Sequence, residues 1–168
     1  MSRTKPLKRC DGYDERALLM SAADHLEAVD RLMPCGFRVL DSAGFLAHLV
    51  VELLLKAYLL HRVDSFPKTH DLAHLLTECD AEGLELDLEQ TETEFLTRLN
   101  RFKDLRYPNT NDPVSVSSED FEVLDQIVKR IASQYPGDLQ TVLKNLFSPD
   151  PDGVVRKGGR ALMIKSPA

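Results

Sequence analysis

Apolar residues recur along most of this chain at three- and four-residue steps, and proline, glycine or short polar clusters separate the runs. That period is helical. The longest run, Asp41 to His61, is different in kind. From Phe45 to Leu60 only His48, Glu52 and Lys56 interrupt the aliphatic and aromatic residues, and they fall at i, i+4 and i+8. On a helix they share a sector of about 80°. A helix apolar on nearly every other side predicts burial with neighbours on several faces. Its polar seam must then find partners, because unpaired buried ions are expensive.

The other runs place helices around this one. Residues 1–12 read as a flexible basic arm ending at Asp11-Gly12. Leu18, Ala22, Leu26, Val29 and Met33 form one stripe, predicting a first helix from Asp14 to Met33 that Pro34-Cys35-Gly36 ends. The central helix runs from about Val39 to Arg62, followed by a loop to Lys68. Thr69 is the expected N-cap of a short third helix. A fourth runs from Leu88 to Tyr107 with Phe95, Leu99, Phe102 and Leu105 inward, and Arg106 near the middle of that face. A buried guanidinium there wants a carboxylate. Ser117 or Ser118 caps a fifth helix through Tyr135, and a short sixth spans Leu139 to Phe147. The fold class is all-α, an antiparallel bundle of four to five main helices with a short extra C-terminal helix. The bundle spans 13–147, and 148–168 is a basic Gly/Pro-rich tail containing Ala161-Leu162-Met163-Ile164.

Charge narrows the functions. The net charge of −6 argues against nucleic-acid binding through bulk charge. Eight carboxylates and no Lys or Arg lie between Glu78 and Glu94, a stretch that reads as solvated and lacks the alternating pattern of a calcium loop. Cys10, Cys35 and Cys79 fit no pairing motif and suit reduced thiols in a cytoplasm. The basic N-terminus has no apolar stretch after it that would make a signal peptide. The central helix, short of about 20 apolar residues and carrying three ionisable groups, reads as a core helix and not a membrane span.

Three stretches together resemble the HEPN domain family, over roughly Asp14 to Tyr135: FLAHLVVELLLKAYLL with Glu52-x-x-x-Lys56, PKTHDLAHLL with Thr69-His70-Asp71-Leu72, and FKDLRYPN with Arg106-Tyr107-Pro108. The resemblance implies a four- or five-helix bundle, often a homodimer, often encoded beside a nucleotidyltransferase or in toxin–antitoxin and phage-defence settings. Many members resemble metal-independent ribonucleases with an Arg, four to six residues, then a His. No histidine here, among His25, His48, His61, His70 and His74, has an arginine at that distance upstream. Positions 106 to 113 hold Arg, Tyr, Pro, Asn, Thr, Asn, Asp and Pro. An acid or base titrating near neutrality is therefore missing where the family pattern puts it.

The sharpest site reading joins Glu52 to Arg106 across the bundle, with His48 and Lys56 nearby, as a pocket for an anion or nucleotide. His70 and Tyr107 complete the ligand-binding candidates. Arg98, Arg101 and Lys103 are the RNA-contact candidates, since they gather positive charge near one helix end. His70 and His74 stand at i, i+4, but HExxH is absent and no metal is assigned. No catalytic residue and no cofactor are assigned either. The favoured function is a noncatalytic HEPN-like binding or interaction module, a homodimer in the cytoplasm, away from membranes, acting with a nucleotidyltransferase, an antitoxin or another defence component. The alternative is a divergent ribonuclease toxin acting on RNA around Arg101, Arg106 and Tyr107.

Overall fold

Every residue from Leu54 to Leu60 is buried, and the helix that carries them has neighbours on all sides. This is α2, Leu40–Val63, in a computed structural model that describes residues 5–104 and 110–147. Its partner in the main helical hairpin is α1, Glu15–Leu32, capped by Asp14, whose side chain accepts from the Arg16 N–H. The buried stripe of α1 is Leu19, Ala22, Ala23, Leu26 and Val29, while Leu18 and Met33 are only half-buried. A stretch from Phe37 to Val63 is long and apolar enough to cross a membrane by length and composition, but 78% of its apolar window is buried inside the bundle. Core burial accounts for the hydrophobicity.

Around α2 stand α3 (Leu72–Ala81), α4 (Gln90–Asn100) and α5 (Asp120–Ser133), while α6 (Gly137–Phe147) packs on α1. The described residues thus form six α-helices, and the fold is an all-α bundle. Tyr135 fastens α5 to the centre, its hydroxyl donating to the Leu54 carbonyl and its ring meeting Tyr58 edge-on at 5.7 Å.

Several boundaries differ from the sequence expectation for physical reasons. Asp71, not Thr69, caps α3: its carboxylate accepts from the His74 N–H at 3.1 Å, and the Thr69 hydroxyl accepts from the Asp71 N–H. Helix α4 stops at Asn100 and tightens into a 3-10 turn over Arg101–Asp104, and the rest of the expected helix, through Tyr107, lies outside the described residues. So does the tail from 148 onward. Glu92 is the exception in the acidic stretch: it is fully buried, accepting from the Glu89 N–H at 2.7 Å and from Arg130 Nε at 2.7 Å.

The basic arm contains structure. Leu7–Lys8 (β1) pairs antiparallel with Ser65–Phe66 (β2), Leu7 opposite Phe66, and a 3-10 turn over Arg9–Asp11 leads to Gly12. Two-residue strands leave almost no alternating pattern to read. Arg9 follows the ribbon, and its side chain meets Asp64 at 2.8 Å just past the end of α2.

Candidate functional site

The polar seam of α2 converges on one carboxylate. Lys56 Nζ donates to Glu52 Oε1 at 2.6 Å from the next turn of the same helix. His48, one turn earlier, places Nε2 at 3.3 Å from Glu52 Oε2, out of line for a hydrogen bond. Its other nitrogen, Nδ1, sits 3.0 Å from the Leu99 carbonyl oxygen. A carbonyl only accepts, so Nδ1 carries hydrogen and ties α2 to α4. The third base arrives from the loop before α3: His70 Nδ1 lies 3.0 and 3.1 Å from the two Glu52 oxygens.

Exposure divides the four. Glu52, His48 and Lys56 are buried, at 3%, 1% and 7%, whereas the His70 side chain is 68% exposed and forms the solvent edge of the cluster. Burial pushes the Glu52 carboxyl up, but His48, Lys56 and His70 outweigh that effect and hold it at about 2. Lys56 also lies 5.5 Å from the centroid of the buried Phe66 ring. One carboxylate thus faces three basic side chains, two of them buried with it.

A second cluster sits beside the first. Asp71 caps α3 and also accepts from Lys103 Nζ at 2.7 Å and from Asn100 Nδ2 at 3.2 Å, while Asn100 Oδ1 accepts from the Leu72 N–H at 2.7 Å. The Lys103 hydrogen bond and the His74 N–H hold the Asp71 carboxyl at about 2. Asp71 and Asn100 were not among the predicted site residues. Asp71 could have been found, since it stands directly before the first apolar residue of the third helix, a capping position.

The structure brings together four predicted residues, His48, Glu52, Lys56 and His70. Arg106, expected to meet Glu52, and Tyr107, the remaining ligand-binding candidate, lie outside the described residues. The three RNA-contact candidates are each held by a carboxylate: Arg98 by Asp120 through two bonds of 3.0 and 2.6 Å, Arg101 by Asp112 at 2.6 Å, and Lys103 by Asp71. Their side chains remain 45%, 42% and 26% exposed. Among the described residues no group of three or more His, Cys, Asp or Glu side chains is placed to hold a metal ion.

A polar seam on a buried second helix, met by a Thr-His-Asp-Leu turn at the start of the third, brings together two of the three stretches on which the sequence resemblance rests. The HEPN domain profile matches residues 16–136, most of the chain. The chain belongs to the HEPN family. The matched region of this HEPN chain runs from the first turn of α1 to Pro136, leaving the β1 segment before it and α6 after it. No curated protein and no solved structure matches the chain.

Proposed function

We propose that this HEPN chain is a noncatalytic binding and interaction module, working as a homodimer beside a protein partner such as a nucleotidyltransferase or an antitoxin. The observation that carries the reading is the commitment of both seam imidazoles: His70 spends Nδ1 on Glu52, and His48 spends Nδ1 on the Leu99 carbonyl with Nε2 turned toward Glu52. Neither is paired with an arginine in the family's Arg–His spacing, which the sequence lacks throughout. The three bases around Glu52 suit an anionic ligand, a nucleotide phosphate among them, approaching from the His70 side. Apolar surface supports assembly: Phe37 is 82% exposed and Phe45 is 37% exposed, at the α1–α2 turn and the first turns of α2. Exposed aromatic rings of this kind serve as interface anchors. Free Cys10 and Cys35 at the surface and Cys79 in the core suit a reducing cytoplasm.

The deciding experiment incubates purified wild-type chain and Arg106→Ala with single-stranded RNA without metal, alongside thermal melts of both. No cleavage by the wild type is expected. Cleavage that disappears in Arg106→Ala at an unchanged melting temperature would establish the ribonuclease toxin instead.

A further inference from the structure

The segment before the HEPN match lies against the residues that bury Lys56. Leu7 pairs opposite Phe66, and the Arg9 N–H donates to the Asp64 carbonyl at 3.1 Å. The Arg9 guanidinium reaches Asp64 and Glu15, both at 2.8 Å, and the Leu60 carbonyl at 3.4 Å. Tyr13 sets its ring edge-on to Phe66 at 5.3 Å. Phe66 is 3% exposed, and Lys56 Nζ stands over its ring while bonded to Glu52. A continuous stack therefore runs from the N-terminal segment through Phe66 to the Glu52 cluster.

We infer that residues 7–13 are a detachable strap that controls access to Lys56 and Glu52 from the β2 side. Most of the strap's anchors are short or exposed, the Arg9 pair with the 12% exposed Glu15 being the firmest. A two-residue ladder has little stability of its own, and the Arg9–Asp64 pair joins side chains that are 44% and 75% exposed. Gly12, with φ +93°, has nothing within 4 Å of where a Cβ would sit, so the turn near the strap's end is not packed. Helix α2 beneath is held on all sides. Local opening of the strap consequently requires far fewer contacts to break than unfolding of the bundle. When open, it uncovers an aromatic face, an ammonium group and the hydrogen-bonding edge of β2 together. The inference concerns access alone and stands apart from whether an anion binds at the cluster.

The test is acylation of lysines in the native full-length chain by a water-soluble N-hydroxysuccinimide acetate, read by peptide mass spectrometry. Exposed Lys129 and Lys144 serve as internal standards. Lys8 and Ser65 face each other across the ribbon, and facing residues of antiparallel strands lie within reach of a disulfide. Lys8→Cys with Ser65→Cys, in a Cys10→Ser, Cys35→Ser background, therefore locks the strap when oxidised. Oxidation should slow Lys56 acylation about tenfold or more relative to the same protein reduced, with the standards unchanged, and Arg9→Ala should speed it by a similar factor. Equal Lys56 rates in the oxidised and reduced lock, or in Arg9→Ala and wild type, would overturn the inference.

Discussion

Glu52 holds its charge inside the bundle because three bases surround it, and that dependence is measurable. Both Glu52 and Lys56 side chains are under a tenth exposed, so Glu52→Gln leaves a buried ammonium without its counter-ion. Urea unfolding at neutral pH should show a loss of about 3–5 kcal/mol. The same residue sets a pH dependence. Its folded pKa, about 2, lies below the ordinary 4.5. Its contribution, of order 3 kcal/mol, is therefore fully present above pH 4.5 and fades as pH falls toward 2. Asp71, held at about 2 from an ordinary 3.8, acts in the same direction with a smaller effect because it is more exposed. The stability gap between wild type and Glu52→Gln should narrow steadily over that window. A gap that stays constant down to pH 2 would contradict the assignment of the charge to Glu52. Gly44 makes a different residue-scale prediction. A Cβ there would sit 2.4 Å from Phe102 Cε1, so Gly44→Ala should destabilise by about 1–3 kcal/mol despite the better helix propensity of alanine. Combining it with Phe102→Leu should recover part of the loss in the same unfolding assay.

The elements show why some features could be read from sequence and others could not. Helix α2 was legible almost to the residue, because sixteen positions broken only by one polar seam admit few alternatives. Leu54, Leu55 and Tyr58, on its uninterrupted face, are 0%, 0% and 3% exposed. Leu54→Ala should cost about 2–5 kcal/mol in chemical unfolding. The seam was equally legible, since spacing alone aligned His48, Glu52 and Lys56. His70, a ligand-binding candidate from its place in the Thr-His-Asp-Leu stretch, closes the seam from a loop. What was not legible is the second partner of His48, a backbone carbonyl on α4 that no side-chain pattern reports. The end of α4 was misread because Phe102 keeps the helical period while the backbone tightens into a 3-10 turn. The N-cap of α3 was misplaced by two residues because Thr69 and Asp71 are both good caps; Asp71 stands directly before the first apolar residue of the helix, and bonds from Asn100 and Lys103 hold its carboxylate there. Asp71→Ala should accordingly lower stability by about 1–2 kcal/mol, the range of a lost N-cap. Asp71→Asn should retain more of it, since an amide oxygen can still cap.

At the scale of the molecule, the proposed homodimer makes a prediction of its own. Phe37 and Phe45 are the exposed aromatic rings near the α1–α2 turn. Light scattering at high micromolar concentration should report a dimer, and Phe37→Asp combined with Phe45→Asp should return a monomer whose helical circular dichroism is unchanged. A wild-type monomer at that concentration would remove the dimer from the functional reading. The ribbon at the opposite end of α2 has a consequence in time. Leu7 and Phe66 are 59 residues apart, whereas the α1–α2 hairpin closes through a short turn. At typical synthesis rates, β1 waits about 3–12 s on the ribosome before its partner strand is made. Helix α2 is completed only two residues before β2, so β1 stays unpaired while both helices of the hairpin are being made. Sequences fused ahead of Leu7, an affinity tag for instance, act during that wait, and the choice of which terminus to tag decides whether the ribbon closes on schedule.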